Sequence, residues 1–281
     1  MLNQNDRNNL AGKLLVAARE AAAAVMRVYA DADVGTTMKG PNDPVTRADK
    51  EANALILAAL ARDFPGIPVV AEESPPADYE NFAAAETAFF VDPVDGTREF
   101  IAKNGEFCVM IGFAEEARAT VGIVLCPAIQ KTYVGVEGKG AFLVSDDDTW
   151  TPIHVSPLTD IEQALCAVSR FHRSGSVDQK LQRLKVRELV PIGSAGLKGV
   201  RVAEGAVQLY AHPSTGLVKL WDACAPDAVV RAAGGVLTDG SGKPFDYRGA
   251  VAQGEGTIAG SKALHAEALR RIASVPEGAR A

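Results

Sequence analysis

The chain has 281 residues, with 29 Lys and Arg against 35 Asp and Glu, a formal net charge of −6. At 47% apolar, 23% charged and 6% aromatic residues it has ordinary globular composition, which excludes pervasive disorder. The acid excess and a pI near 5.3 exclude broad nucleic-acid binding through a basic face. They leave room for a phosphorylated ligand whose charge is balanced by bound cations.

No run reaches the ~18 uninterrupted apolar residues of a membrane span. The polar, acid-containing start, MLNQNDRNNLAGKLL, does not read as a secretory signal. Cys108, Cys126, Cys166 and Cys224 form no C-x-x-C pair. Without an export signal they read as buried, reduced thiols, and the expected compartment is the cytoplasm.

Residues 8–30 read as a helix, with Leu10, Leu14, Ala17, Ala21, Val25 and Val28 at three- and four-residue steps. A second helix is expected at 48–62, ended by Pro65 and Gly66. Short buried strands follow at 67–71 and 88–92. The stretches 107–114, 120–125, 132–137 and 141–144 are rich in Val, Ile, Phe and Tyr and separated by turns, which suggests an antiparallel meander. The polar 145–149 segment reads as a loop, and a subdomain boundary is placed near 145–157. Beyond it strands (165–169, 188–192, 206–210, 236–238, 257–260) mix with helices (176–186, 196–204, 223–233, 262–273), the mark of an α/β arrangement.

Four acidic segments stand where elements end. Asp43-Pro44-Val45-Thr46-Arg47-Ala48-Asp49 opens the second helix, and Ala71-Glu72-Glu73-Ser74 follows a buried strand. Asp92-Pro93-Val94-Asp95-Gly96-Thr97 follows another, and Trp221-Asp222 opens the helix at 223. In the third segment Pro93 and Gly96 favour a sharp turn, so both carboxylates and the Val94 carbonyl can face one point. Hard oxygen ligands of this kind suit Mg²⁺, Mn²⁺ or Ca²⁺ rather than zinc. Taken singly, each segment has a plainer reading. Asp92 to Thr97 can be a surface β-turn and Glu72-Glu73 a solvated pair. Asp222 can be an N-cap, and Asp49 a first-turn acid that suits the helix dipole. Taken together, with the Thr97 hydroxyl, they can assemble a multi-metal site for phosphate hydrolysis.

In order and spacing these motifs resemble the lithium-sensitive, Mg²⁺-dependent phosphatases of the inositol monophosphatase superfamily. That family shows D-x-V-T-x-x-D, then an E-E-S segment, then D-P-x-D-G-T, then W-D with a helix closed by A-G-G, here Ala233-Gly234-Gly235. The resemblance implies a layered αβαβα sandwich, an α/β protein with an N-terminal α+β subdomain (1–150) and a C-terminal α/β subdomain (151–281). It implies that Glu72, Asp92 and the Val94 carbonyl bind one Mg²⁺, that Asp92, Asp95 and Asp222 bind a second, and that Glu72 helps hold a third. Thr97, hydrogen-bonded to Asp49, would orient the attacking water. Backbone N–H groups after Gly96 would meet the phosphate.

The residues around the motifs look most like the CysQ-type 3′(2′),5′-bisphosphate nucleotidases, which take the 3′-phosphate from adenosine 3′,5′-bisphosphate (PAP), a by-product of sulfate assimilation. The matching segments are Thr97-Arg98-Glu99-Phe100-Ile101, Lys103-Asn104-Gly105-Glu106-Phe107, Ser169-Arg170-Phe171-His172 and Gly193-Ser194-Ala195-Gly196-Leu197-Lys198. On this resemblance Gly96, Thr97 and Asp222 touch substrate, Lys198 reaches the second phosphate, His172 meets a phosphate or the ribose, and Gly193 and Ser194 allow close approach. The plainer readings are a solvated Lys198, a loop His172, and a Gly193 that serves only the start of its helix. Two departures stand out. Ala223-Cys224-Ala225-Pro226 replaces the T-A-A often found there, with Pro226 expected in the first helical turn. The stretch 250–256 lacks an N-P-G-F-like tail.

The rival substrates are inositol phosphate, fructose 1,6-bisphosphate and histidinol phosphate. A different class is a non-catalytic phosphate-binding regulator, against which stands the presence of all five acidic positions and Thr97. Histidines at 154, 172, 212 and 265 do not make a zinc site, and there is no P-loop, H-E-x-x-H or G-x-S-x-G. The expected state is monomer or homodimer, with a small phosphorylated nucleotide as substrate.

Overall fold

The computed structural model describes residues 2–40, 43–171 and 174–274. In chain order the elements are α1 (Gln4–Ala30), β1 (Thr37–Gly40), β2 (Asp43–Val45), α2 (Arg47–Asp63), β3 (Val69–Ala71), β4 (Thr87–Asp95), α3 (Thr97–Ile101), β5 (Cys108–Glu115), β6 (Arg118–Cys126), β7 (Lys131–Val136), β8 (Gly140–Val144) and β9 (Trp150–Ile153). Then follow β10 (Leu165–Ser169), α4 (Gly175–Gln182), β11 (Glu188–Ile192), α5 (Ala195–Ala203), β12 (Leu209–Lys219), α6 (Leu220–Ala232), β13 (Val236–Thr238), β14 (Ala252–Gly260) and α7 (Lys262–Ala273).

The first sheet has seven strands in the order β3-β4-β5-β6-β7-β8-β9, antiparallel apart from the β3–β4 pair. The meander expected from the sequence is therefore present, with β9 added. The second sheet has the order β11-β10-β12-β14-β13 and is mixed. Helices α1 and α2 cover one face of the first sheet around Leu14, Val25, Ile56, Phe89 and Ile111. Helices α5 and α6 fill the layer between the sheets, and α4 and α7 close the outer face of the second. This is the αβαβα sandwich.

A row of glycines seats α6. Gly112, Gly122 and Gly135 are cross-strand neighbours on β5, β6 and β7. A Cβ on Gly112 would lie 2.6 Å from Cys224 Sγ, one on Gly122 2.3 Å from the Ala225 carbonyl, and one on Gly135 2.5 Å from Val229 Cα. The sheet is thus locally bare of side chains, and α6 packs directly on its backbone. The small Ala223-Cys224-Ala225 run faces this groove. The helix begins at Leu220 rather than 223, so Asp222 is in its first turn and not its N-cap, which is Lys219. Pro226 consequently lies inside α6, not in its first turn. It has no N–H for the Asp222 carbonyl four residues back.

Other boundaries also differ. Helix α4 stops at Gln182, short of the expected 186. Strand β12 continues from the expected 210 to Lys219, and β14 starts at Ala252 rather than 257. The turn-forming Pro213, Ser214 and Gly216 are absorbed by register shifts between β12 and β14.

Candidate active site

Strand β4 does not end before the acidic segment; it runs through it. Asp92 pairs with Met110 and Asp95 with Cys108, so three steps on β4 match two on β5. Residues three apart in a regular strand point to opposite faces. The extra residue of the bulge restores parity and turns Asp92 and Asp95 to the same face. The surface-turn reading of this segment is therefore corrected. The chain turns only at Gly96, whose φ of +96° favours glycine and whose Cβ would lie 2.8 Å from the Glu106 carbonyl.

Parallel pairing of Ala71 with Val91, extended by Glu72 N–H donating to the Val91 carbonyl at 3.0 Å, puts Glu72 beside Asp92. Asp222 arrives from α6. Burial, and then the charges of Glu72, Asp95 and Asp222, hold the Asp92 carboxyl well above its usual range. Burial, then Asp95 and Glu72, does the same to Asp222. Burial raises Glu72 as well, against the pull of Lys39. Asp92 and Asp222 thus feel the charges of the neighbouring carboxylates without all four converging on one point. Among the described residues, no group of three or more His, Cys, Asp or Glu side chains is set as it stands to hold a metal ion. Lys39, on the β1–β2 hairpin, donates to Glu72 Oε1 and Glu73 Oε1, each at 2.7 Å. Burial opposes its charge, yet the two glutamates hold the ammonium above its usual range. Nothing in the sequence marked Lys39 as part of the site. Buried carboxylates that raise one another are what a hard divalent cation relieves, so this donor set fits one.

Asp49 combines both readings given to it. Its Oδ2 accepts from Thr46 N–H at 2.8 Å and from the Thr46 hydroxyl at 2.6 Å, a capping box at the start of α2. Its Oδ1 accepts from the Thr97 hydroxyl at 3.2 Å, and Val94 O is also 3.2 Å from that hydroxyl. Burial raises the Asp49 carboxyl, against the Thr46 hydrogen bonds.

A cavity of about 400 Å³ opens beside these groups, lined among others by Asp95, Gly96, Thr97, Ser194, Lys198 and Asp222. Glu72, Asp92, Asp49 and Val94 do not line it. Asp49 and Val94 meet Thr97, which does, while the charges of Asp95 and Glu72 raise Asp222 and those of Glu72, Asp95 and Asp222 raise Asp92. Lys198 is not a solvated lysine. It is 4% exposed, its ammonium donates to the Ile192 carbonyl at 3.4 Å and to the Ser194 carbonyl, and it stands over the Tyr210 ring. Burial lowers its pKa, opposed by Asp95 and Glu99. Ser194 donates to Asp95 Oδ2 and caps α5 by accepting from Leu197 N–H at 2.9 Å. Gly193 is off the cavity wall. Its N–H donates to Glu106 Oε2 at 2.8 Å, and a Cβ there would lie 2.3 Å from Glu99 Cγ. Arg170 forks onto Glu106 with two bonds of 2.6 Å. His172 lies outside the described residues. His212 and Leu217 also line the cavity and are not found from the sequence, because the strand expected there ends at 210. Tyr210, the last residue of that expected strand, lines it too and carries no motif of its own.

The inositol monophosphatase family model matches residues 8–277. The chain belongs to the inositol monophosphatase family. It is 38% identical over 231 residues to the 3′(2′),5′-bisphosphate nucleotidase CysQ of Escherichia coli O157:H7, covering 82% of this chain and 90% of that one. It is 34% identical over 215 residues to Inositol monophosphatase 1 of Solanum lycopersicum, covering 74% and 76%. The extragenic suppressor protein suhB of Bartonella henselae matches its fold with a TM-score of 0.82 and 25% identity, over 95% of this chain and 99% of that one.

The raised carboxylates give a stability prediction with a definite sign. Asp92 and Asp222 hold protons more tightly folded than unfolded, so their contribution is complete below an unfolded value of about 4. It is lost as pH rises through their higher folded values. A cation that binds these carboxylates compensates most where they are ionised. Millimolar Mg²⁺ should therefore raise the melting temperature of metal-free protein more at pH 8 than at pH 5. An equal rise at both, or none, contradicts the shared-charge description.

Proposed function

We propose that this protein is a Mg²⁺-dependent phosphomonoesterase that hydrolyses the 3′-phosphate of PAP to give AMP and phosphate. The observation that carries the reading is the grouping of buried Asp92 and Asp95 with half-buried Glu72 and Asp222 beside a cavity that also holds a buried cation, Lys198. The choice of nucleotide is supported by the 38% identity to a bisphosphate nucleotidase over 82% of the chain. The 34% identity to an inositol monophosphatase keeps a sugar-phosphate substrate as the second reading.

On this reading Glu72, Asp92, Asp95, Asp222 and the Val94 carbonyl hold two to three Mg²⁺. Bound there, the ions would supply positive charge for the phosphate oxygens and a lowered pKa for a water, so that it could lose a proton and become a nucleophile. The chain's own residues do the rest. The Thr97 hydroxyl spends its proton on Asp49 and Val94, so its lone pairs are left to accept from the attacking water and aim it. Asp49 can take up the proton passed through Thr97. Gly96 brings backbone N–H groups close to the phosphate. Lys198 would meet the second phosphate with Ser194 beside it on the cavity wall, Gly193 acting from behind through Glu106. A contact from His172, which lies outside the described residues, is part of the same proposal. Asp222 stands against the substrate as well as the metal.

The proposal includes two subdomains, 1–150 and 151–281, with the site where they meet, since Asp222 comes from the second and the other carboxylates from the first. It places the enzyme in the cytoplasm, in disposal of a sulfate-assimilation by-product, with lithium as an expected inhibitor. Among the described residues no helix is long and apolar enough to cross a membrane. Phosphate release from PAP is expected with Mg²⁺, should disappear with excess EDTA, and should return when Mg²⁺ is restored. Release that survives chelation contradicts the proposal.

A further inference from the structure

Cys108 and Cys126 are both fully buried and free, yet their sulfurs lie 2.9 Å apart. The contact follows from register. Val109 pairs with Leu125 across β5 and β6, and the next step brings Cys108 opposite Cys126. Directly opposed residues of an antiparallel pair have Cα atoms about 4.5–5.5 Å apart, within the span a disulfide bridges. The pair also borders the candidate metal site. Cys108 is the cross-strand partner of Asp95, and the Ser194 hydroxyl is 3.4 Å from Cys108 Sγ while donating to Asp95 Oδ2. Ser194 carries a φ of +61°, unusual for a residue with a side chain. Such a conformation persists only while its surroundings hold it.

We propose that Cys108 and Cys126 are an oxidisable pair whose disulfide displaces Ser194 from Asp95 and lowers phosphatase activity. The oxidant class is a small peroxide. Ser194 lines the cavity, so hydrogen peroxide entering there is one side chain from Cys108. Cys108 sulfur attacks a peroxide oxygen and the O–O bond breaks. The leaving hydroxide departs as water with the thiol proton, giving a sulfenic acid. Cys126 sulfur then attacks that sulfur, the S–O bond breaks, and the second thiol proton leaves with the hydroxide as a second water. Two thiols are oxidised by two electrons and one peroxide is reduced. Closing the gap to the ~2.05 Å of a disulfide draws the Cys108 sulfur toward β6. The hydroxyl beside it then loses the position from which it orients Asp95. Loss of a group that orients a metal ligand typically costs about tenfold or more in activity or metal affinity.

The activity arm rests on the phosphatase reading; the thiol arm does not. Full-length protein is treated with hydrogen peroxide and followed by thiol counting, by peptide mass spectrometry and by PAP hydrolysis with Mg²⁺. The expected result is a fall from four titratable thiols to two, a 108–126 crosslinked peptide, and about tenfold lower kcat/KM, all reversed by dithiothreitol. Cys126→Ser, with Cys126→Ala as a second variant, should keep full activity in peroxide over the same interval. Four persisting thiols, a disulfide with unchanged activity, or equal reversible loss in both Cys126 variants overturns the proposal. Reduced protein that fails to hydrolyse PAP counts against the function, while the thiol count still judges the disulfide.

Discussion

Asp95→Asn is expected to lower kcat on PAP by about 10³-fold or more, which is ~4 kcal/mol of transition-state stabilisation, while leaving the fold intact. Asp95 sits at the end of the β4 bulge, facing the same side as Asp92, and is 9% exposed. Its Oδ2 accepts from Ser194 Oγ and, at 2.6 Å, from Gly196 N–H. An amide oxygen can accept both bonds, so α5 should stay seated. What the amide removes is the negative charge, and a neutral carbonyl is a poor replacement for a carboxylate on a hard divalent cation. Removing one of four mutually repelling carboxylates should also leave metal-free stability unchanged or raised. Far-ultraviolet circular dichroism and melting in EDTA check the fold, and steady-state kinetics at several Mg²⁺ concentrations check the role. Near-normal turnover at ordinary Mg²⁺ would remove Asp95 from the metal site.

Thr97→Val is expected to reduce kcat by roughly 10²–10³-fold, the range for losing a group that handles the reacting proton. KM and the Mg²⁺ dependence should change little. Valine keeps the shape of threonine and deletes the hydroxyl that links Asp49 Oδ1 and the Val94 carbonyl. Asp49 keeps its capping bonds through Oδ2, so α2 should start as before. Thr97→Ser restores the hydroxyl and should restore most of the rate. A variant with normal kcat and a raised KM would make Thr97 a substrate contact rather than the group that aims the water.

The acidic motifs were legible because each is a short local string whose chemistry survives without knowing the fold. What was not legible depended on partners distant in sequence. Asp92 and Asp95 looked like a turn because Pro93 and Gly96 are turn formers; only pairing with Met110 and Cys108 shows a bulged strand. Strand β12 looked finished at 210 because Pro213, Ser214 and Gly216 break regular pairing, and β14 accepts them through shifts in register. The start of α6 was misplaced, and Pro226 with it. The helix is held by a groove that Gly112, Gly122 and Gly135 make on three other strands, not by a local stop signal. Lys39 carries no motif and is found only because the β1–β2 hairpin folds over Glu72 and Glu73. The layered fold was read through resemblance. Alternating strands and helices alone indicated an α/β arrangement without the order of its sheets.

The most direct test of the central claim compares kcat/KM for phosphate release from PAP, inositol 1-phosphate and fructose 1,6-bisphosphate under one Mg²⁺ concentration. The account predicts a preference for PAP of about a hundredfold or more, ~2.7 kcal/mol of differential transition-state binding. A preference for either sugar phosphate would contradict it, leaving the carboxylate site in place and assigning the cavity around Lys198 to a different substrate.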